Sequence, residues 1–320
     1  MAGMIEFYNL EKTPNCARDK THYYCDYVEL LALINGIDGV SNSDVYDRFL
    51  EDDKISDIGS LRGSEQNESW VSEIDRWFGE IEARSVAYGD SYPFFLDDRR
   101  VVRKSNISDF QKIYVGLLLC SSMRNISNSS ILSSAFEYAS FCAMKNYLPP
   151  LSEVHLFGVS SGVISRYSGS LESKIKKLSE DTGYRVSSRK NLFRRIDNGD
   201  GGADIVAWIP FGNDINRDKK LFFVGQSAST MRWPEKQLSG ARLKTYLDIE
   251  NTVMNVLYVP YDMRDYDRDF KESGQITTDI LFDRHRMINL LTPDDLFSND
   301  TGVEFKAAID FALDFEEDIV

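Results

Sequence analysis

A chain of 320 residues with 42% hydrophobic content is long enough for one large or two ordinary domains, each burying a core of its own. Its formal charge of −14 excludes a protein that coats nucleic acid unaided, because displacing counterions from phosphates takes Lys and Arg. The longest apolar run, IYVGLLLC (113–120), falls far short of the roughly 20 residues that span a bilayer. The N-terminus lacks a basic head followed by an apolar stretch, so neither a membrane span nor a secretory signal is expected, and the expected location is cytoplasmic. Cys16, Cys25, Cys120 and Cys142 show no CxxC spacing and His22, His155 and His285 lie far apart, which argues against a zinc site.

In chain order, HYYCDYVELLALING (22–36) spaces Tyr24, Tyr27, Val28, Leu31 and Ile34 as one face of a helix, with Gly36 as a stop. A polar stretch from Val40 to Glu68 follows. WVSEIDRWFGEI (70–81) then sets Trp70, Ile74, Trp77, Phe78 and Ile81 on one helical face, a stripe best read as core. Ser108 with Gln111 forms a capping-box pattern ahead of Ile113, Tyr114, Leu117 and Leu118, and a third helix is expected over 130–148. Pro149-Pro150 marks the expected boundary between a helical domain, 1–150, and a second domain, 151–320.

Beyond it, SLESKIKKLSEDTGY (170–184) reads as a helix and 184–188 as a short strand. GGADIVAW (201–208) and KLFFVGQSAS (220–229) read as two strands, 234–248 as a helix, VMNVLYVPY (253–261) as a buried strand and 277–291 as a further strand. An amphipathic helix over 303–315 runs into an acidic tail. Strands interleaved with helices predict an α/β class, a mixed β-sheet with helices on its faces.

The chemistry concentrates on the two strands. Gly201 and Gly202 allow a sharp turn before Asp204, and Gln226 and Ala228 share a face of the second strand through the period of two. A cation that clamps a phosphate takes hard oxygen ligands, which an Asp carboxylate and a Gln carbonyl supply. An Asp after Gly-Gly can also be turn chemistry, but IVAWI behind it is strongly strand-forming. Residues 160–245 carry sixteen Lys or Arg against nine Asp or Glu, a local +7 in a chain whose remainder is −21. That coincidence reads as an electrostatic footprint for phosphate rather than a set of solvated faces.

The GDGGxD strand followed by a strand ending in GQ resembles the catalytic region of the PD-(D/E)xK, restriction-endonuclease-like nucleases, in particular their Mrr-like members. The resemblance covers about 160–291 and is specific only at the two strands. It implies that Asp204 and Gln226 bind magnesium, with manganese able to replace it, and that a helical acid upstream completes the site. Glu172 is the first choice for that acid. Glu137 is the rival, because a Phe-Glu pair opens the corresponding helix in Mrr-like proteins. The motif calls for Lys where this chain has Ala228. Either that function has moved to another element, with Lys236 the nearest replacement and Arg232 next, or the site is natively inactive, or the sequence carries an inactivating substitution.

Lys174, Lys177, Arg189, Lys190 and Arg232 are the candidate phosphate contacts. DILFDRHRMINLL (279–291) is similar to bacterial defence-associated proteins with the same GGxDxxAW and GQ motifs. The resemblance thus implies a magnesium-dependent endonuclease acting on DNA, with RNA open, as an antiviral defence effector. Its acidic N-terminal domain would sense, oligomerise or bind another defence protein. The alternative is a catalytically silent nuclease fold that binds nucleic acid or a partner protein.

Overall fold

A computed structural model describes residues 5–55, 61–158, 165–190, 192–193, 201–212 and 219–315, with side chains from residue 67 onward in the helix that begins at Leu61. In chain order the elements are β1 (Glu6–Phe7), α1 (Thr21–Ile34), β2 (Val40–Ser41), α2 (Asn42–Glu51), α3 (Leu61–Tyr88), β3 (Phe94–Asp97), β4 (Arg100–Arg103), α4 (Asp109–Ser121), β5 (Ile126–Ser127) and α5 (Ser130–Tyr147). There follow β6 (Glu153–Leu156), α6 (Leu171–Thr182), β7 (Arg185–Val186), β8 (Ile205–Trp208), β9 (Phe222–Ser227), α7 (Ser239–Tyr246), β10 (Leu247–Asp248), β11 (Val253–Tyr258), β12 (Ile280–Phe282), α8 (Arg284–Ile288), α9 (Pro293–Phe297) and α10 (Asp300–Asp314). No helix among the described residues is long and apolar enough to cross a membrane.

The chain forms two compact units, one of residues 1–132, 261–271 and 292–320, the other of 133–260 and 272–291. The division falls inside α5 rather than at Pro149-Pro150, and two later segments return to the first unit. A proline pair stops a helix, but where a helix packs is decided by its apolar face.

In the first unit every residue of α1 is buried, so this helix forms the centre of a core instead of presenting one face. The stripe on α3 is core as expected: Trp70, Ile74, Trp77, Phe78 and Ile81 are all buried, and Trp77 stacks on Tyr24 with ring centroids 4.4 Å apart. The polar stretch after residue 40 holds structure that apolar spacing did not reveal. Ser41 caps α2 through a capping box with Asp44, and β2 joins a three-stranded antiparallel sheet with β3 and β4. The same unit buries an ionic cluster. Arg84 lies 2.8 Å from Asp26, 3.0 Å from Glu29 and 3.5 Å from Asp262, and Arg268 also reaches Asp262 at 3.0 Å.

The second unit is built on a five-stranded mixed sheet of order β12-β11-β9-β8-β6. β11 runs parallel to β9 and β12, whereas β8 runs antiparallel to β9 and β6. One face carries Val206, Trp208, Phe222 and Val224 into a cluster with Leu171, Ile175 and Leu178 of α6 and Leu243 of α7. On the other face Ser227 bonds Ser140 of α5, and Tyr147 of α5 meets Phe282 edge-on at 5.3 Å. Helices therefore flank the sheet on both faces, as the alternation of strands and helices implied.

Two element readings need correction. The segment 277–291 holds only the three-residue strand β12, because Asp283 then caps α8 by accepting the Arg286 backbone N–H at 3.0 Å. The expected helix over 234–248 begins as a single 3₁₀ turn, Trp233–Lys236, and continues as α7.

Candidate active site

β8 is buried at all four positions, and Asp204 stands immediately before it with 6% of its surface exposed. Its main chain is fixed by the sheet. The N–H donates to the Gly225 carbonyl at 2.9 Å, and the carbonyl accepts from Phe157 at 2.6 Å and Gly158 at 3.0 Å. Its carboxylate Oδ2 accepts the backbone N–H of Ser227 at 2.7 Å. This leaves Oδ1 toward Gly158, where a methyl group on the glycine would lie 3.3 Å from it.

Glu137 arrives at the same point from α5. Its Oε2 would lie 2.9 Å from that methyl group, so the two carboxylates converge on a space that exists because residue 158 has no side chain. Of the two helical acids proposed from the sequence, the structure brings Glu137 to Asp204. Glu172 is half-exposed on α6 and pairs with Lys176 at 2.7 Å, an i,i+4 surface contact.

Gln226 is 8% exposed, and its Oε1 accepts the hydroxyl of Ser239 at 3.0 Å. That hydroxyl also lies 3.5 Å from the Lys236 carbonyl, which sets the Lys236 backbone beside Gln226. Ala228 is fully enclosed, with its N–H on the Tyr258 carbonyl at 2.8 Å.

The expected phosphate contacts separate into three kinds. Lys174 is buried, its ammonium donating to the carbonyls of Phe157 at 2.9 Å and Gly158 at 3.2 Å, so it braces the wall of the site from inside. Lys177 pairs with Glu180 and Asp181, and Arg232 pairs with Glu235 at 3.0 Å. Arg189 and Lys190 are exposed. Gly199, Asp200, Arg194, Arg195 and Arg217 of the motif and its basic surroundings lie outside the described residues, as does the acidic tail. His155 bonds Glu153 at 2.9 Å; burial pushes its pKa below the usual imidazole value, opposed by that carboxylate. His285 stands on α8.

Sequence reasoning missed Gly158, Ser140, Ser227 and Ser239. Only Gly158 carried a signal, a glycine closing the HLFG run of an edge strand; the serines act through contacts distant in sequence. Among the described residues no group of three or more His, Cys, Asp and Glu is arranged to hold a metal ion. The oxygen donors that meet at Gly158 are two carboxylates, hard donors that suit magnesium or manganese better than zinc, while the Gln226 amide is turned to Ser239 of α7. No family model matches the chain, and neither does any curated protein or solved structure.

Proposed function

We propose that the chain is a magnesium-dependent endonuclease with a restriction-endonuclease-like second unit, acting on DNA in the bacterial cytoplasm as a defence effector. The observation that carries this reading is the convergence of Glu137 and Asp204 against Gly158, where a side chain would otherwise stand, at the end of the sheet that bears Gln226. A divalent cation held by Glu137, Asp204 and the Gln226 carbonyl would polarise a phosphoryl oxygen and lower the pKa of a bound water. Ser227 holds Asp204 in one rotamer through its N–H, and Ser239 orients the Gln226 amide. Lys236, at the end of the turn that leads into α7 and three residues before Ser239, is the group assigned to the attacking water or the scissile phosphate.

Ala228 favours a second reading, a nuclease fold that binds nucleic acid or a partner protein without cutting. Plasmid DNA and RNA incubated with magnesium separate the two. The enzyme reading expects cleavage by the full chain, together with its natural partners, and its loss in Asp204→Ala and Glu137→Gln. Equal survival of both nucleic acids with all three proteins overturns it.

A further inference from the structure

Gly201 and Gly202 do more than turn the chain. Each has a positive φ, +66° and +83°, and each lies under a side chain of α7. A methyl group on Gly201 would meet the Tyr246 ring at 3.3 Å, and one on Gly202 would lie 2.6 Å from Arg242 Nη1 and 2.9 Å from its Cδ. Arg242 and Tyr246 are one helical turn apart, so α7 lies on the glycine pair through two neighbouring side chains. The outcome is an exposed guanidinium laid across the backbone two residues before Asp204.

In the basic window, Arg166, Lys176, Lys177, Lys219 and Arg232 are each matched by a carboxylate. Lys174 and Lys220 are buried on backbone carbonyls. Arg242 donates to the Glu235 carbonyl at 3.3 Å and, among the described residues, has no carboxylate partner. Lys236 and Lys244, on the same helix or the turn that leads into it, likewise have none. Among the described cations of this window, those without a carboxylate partner are therefore Arg185, Arg189 and Lys190, in and after β7, and Lys236, Arg242 and Lys244 on the α7 side, while those of α6 are paired or buried.

We propose that Arg242 binds a phosphate of the nucleic-acid backbone next to the Glu137–Asp204 site, and that the strand is held along α7 with Lys236 and Lys244, not along α6. This rests on the nuclease-fold reading above and extends it by naming the binding face. A guanidinium fork suits a phosphate's two oxygens, and its carbonyl tether to Glu235 sets its direction before the ligand arrives.

The test is fluorescence anisotropy of labelled DNA and RNA duplexes with the full chain across a salt series, calcium replacing magnesium to prevent cleavage. Arg242→Gln is expected to weaken binding about tenfold and to reduce the slope of log affinity against log salt by about one. Gly202→Ala, which displaces the guanidinium, is expected to reproduce much of that loss, and Lys176→Gln to change neither quantity. Wild-type affinity and slope in Arg242→Gln overturn the proposal, as does absence of binding to either probe by the unaltered chain. Loss of binding in Arg242→Gln without magnesium-dependent cutting by the wild type sinks the enzyme reading alone; cutting with unchanged binding by Arg242→Gln sinks the Arg242 assignment alone.

Discussion

The backbone N–H of Ser227 donates to Asp204 Oδ2 at 2.7 Å while the hydroxyl of the same residue donates to Ser140 Oγ at 3.1 Å. Ser140 lies three residues after Glu137 on α5, and its own hydroxyl donates a hydrogen bond to the Phe136 carbonyl at 2.8 Å. One residue of β9 thus fixes the first carboxylate directly and the helix that carries the second. Ser227→Ala keeps the hold on Asp204 and releases α5. It is expected to cost about 1 kcal/mol in urea denaturation and to lower cleavage by raising the magnesium requirement. A magnesium titration identical to wild type would show that the α5 tie does not position Glu137.

The two helical acids give opposite expectations. Glu137→Gln preserves volume and removes one charge beside Asp204, so cleavage is expected to fall by about a hundredfold or more with the fold intact. Glu172→Gln removes a half-exposed partner of Lys176, and a change of under about 0.5 kcal/mol in stability with unaltered cleavage is expected. Single-turnover cleavage of supercoiled plasmid compares them; the reverse ranking would reassign the helical acid.

Strand and helix types in the second unit were readable because IVAW, FFVGQS and the 171–178 spacing are governed by local alternation and burial. The buried positions of Asp204 just before β8 and Gln226 on β9 were readable for the same reason. The choice between Glu137 and Glu172 was not, since both occupy plausible helices and only the path of β6 and the Gly158 that follows it brings one of them to Asp204. Likewise the buried state of Lys174 arises from carbonyls sixteen and seventeen residues away, and no spacing along α6 marks it. The β3–β4 hairpin escaped because RVVR, although its central residues are buried, is short and follows a charged turn.

His22 predicts a pH dependence in the first unit. Complete burial holds its pKa down at about 3 against 6.5, and neither ring nitrogen has a hydrogen-bond partner among the described residues. The folded state therefore keeps a neutral imidazole while the unfolded chain takes up a proton below 6.5. Stability from this group is complete above 6.5 and falls as pH drops toward 3, by up to about 1.4 kcal/mol per pH unit. Urea denaturation between about pH 7 and pH 5 should lose part of this slope in His22→Phe, which keeps a ring against Tyr23. An unchanged slope would mean that His22 is protonated in the folded protein.

Arg84 is 1% exposed and serves Asp26 and Glu29, which are buried with it, as well as Asp262. Asp262 retains Arg268 if Arg84 is lost, but Asp26 and Glu29 lose the cation that faces them both. Arg84→Met is therefore expected to cost about 3–5 kcal/mol, chiefly from stranded charge and not from a lost attraction. Glu29 also accepts the hydroxyls of Tyr92 at 2.8 Å and Tyr114 at 2.9 Å, and Gln can keep its carbonyl side of those bonds. Adding Glu29→Gln to Arg84→Met removes one stranded charge without breaking the tyrosine contacts, so the double variant is expected to be more stable than Arg84→Met alone. A double variant less stable than the single one would show instead that the carboxylate itself, and not its pairing with Arg84, holds the two tyrosines in place.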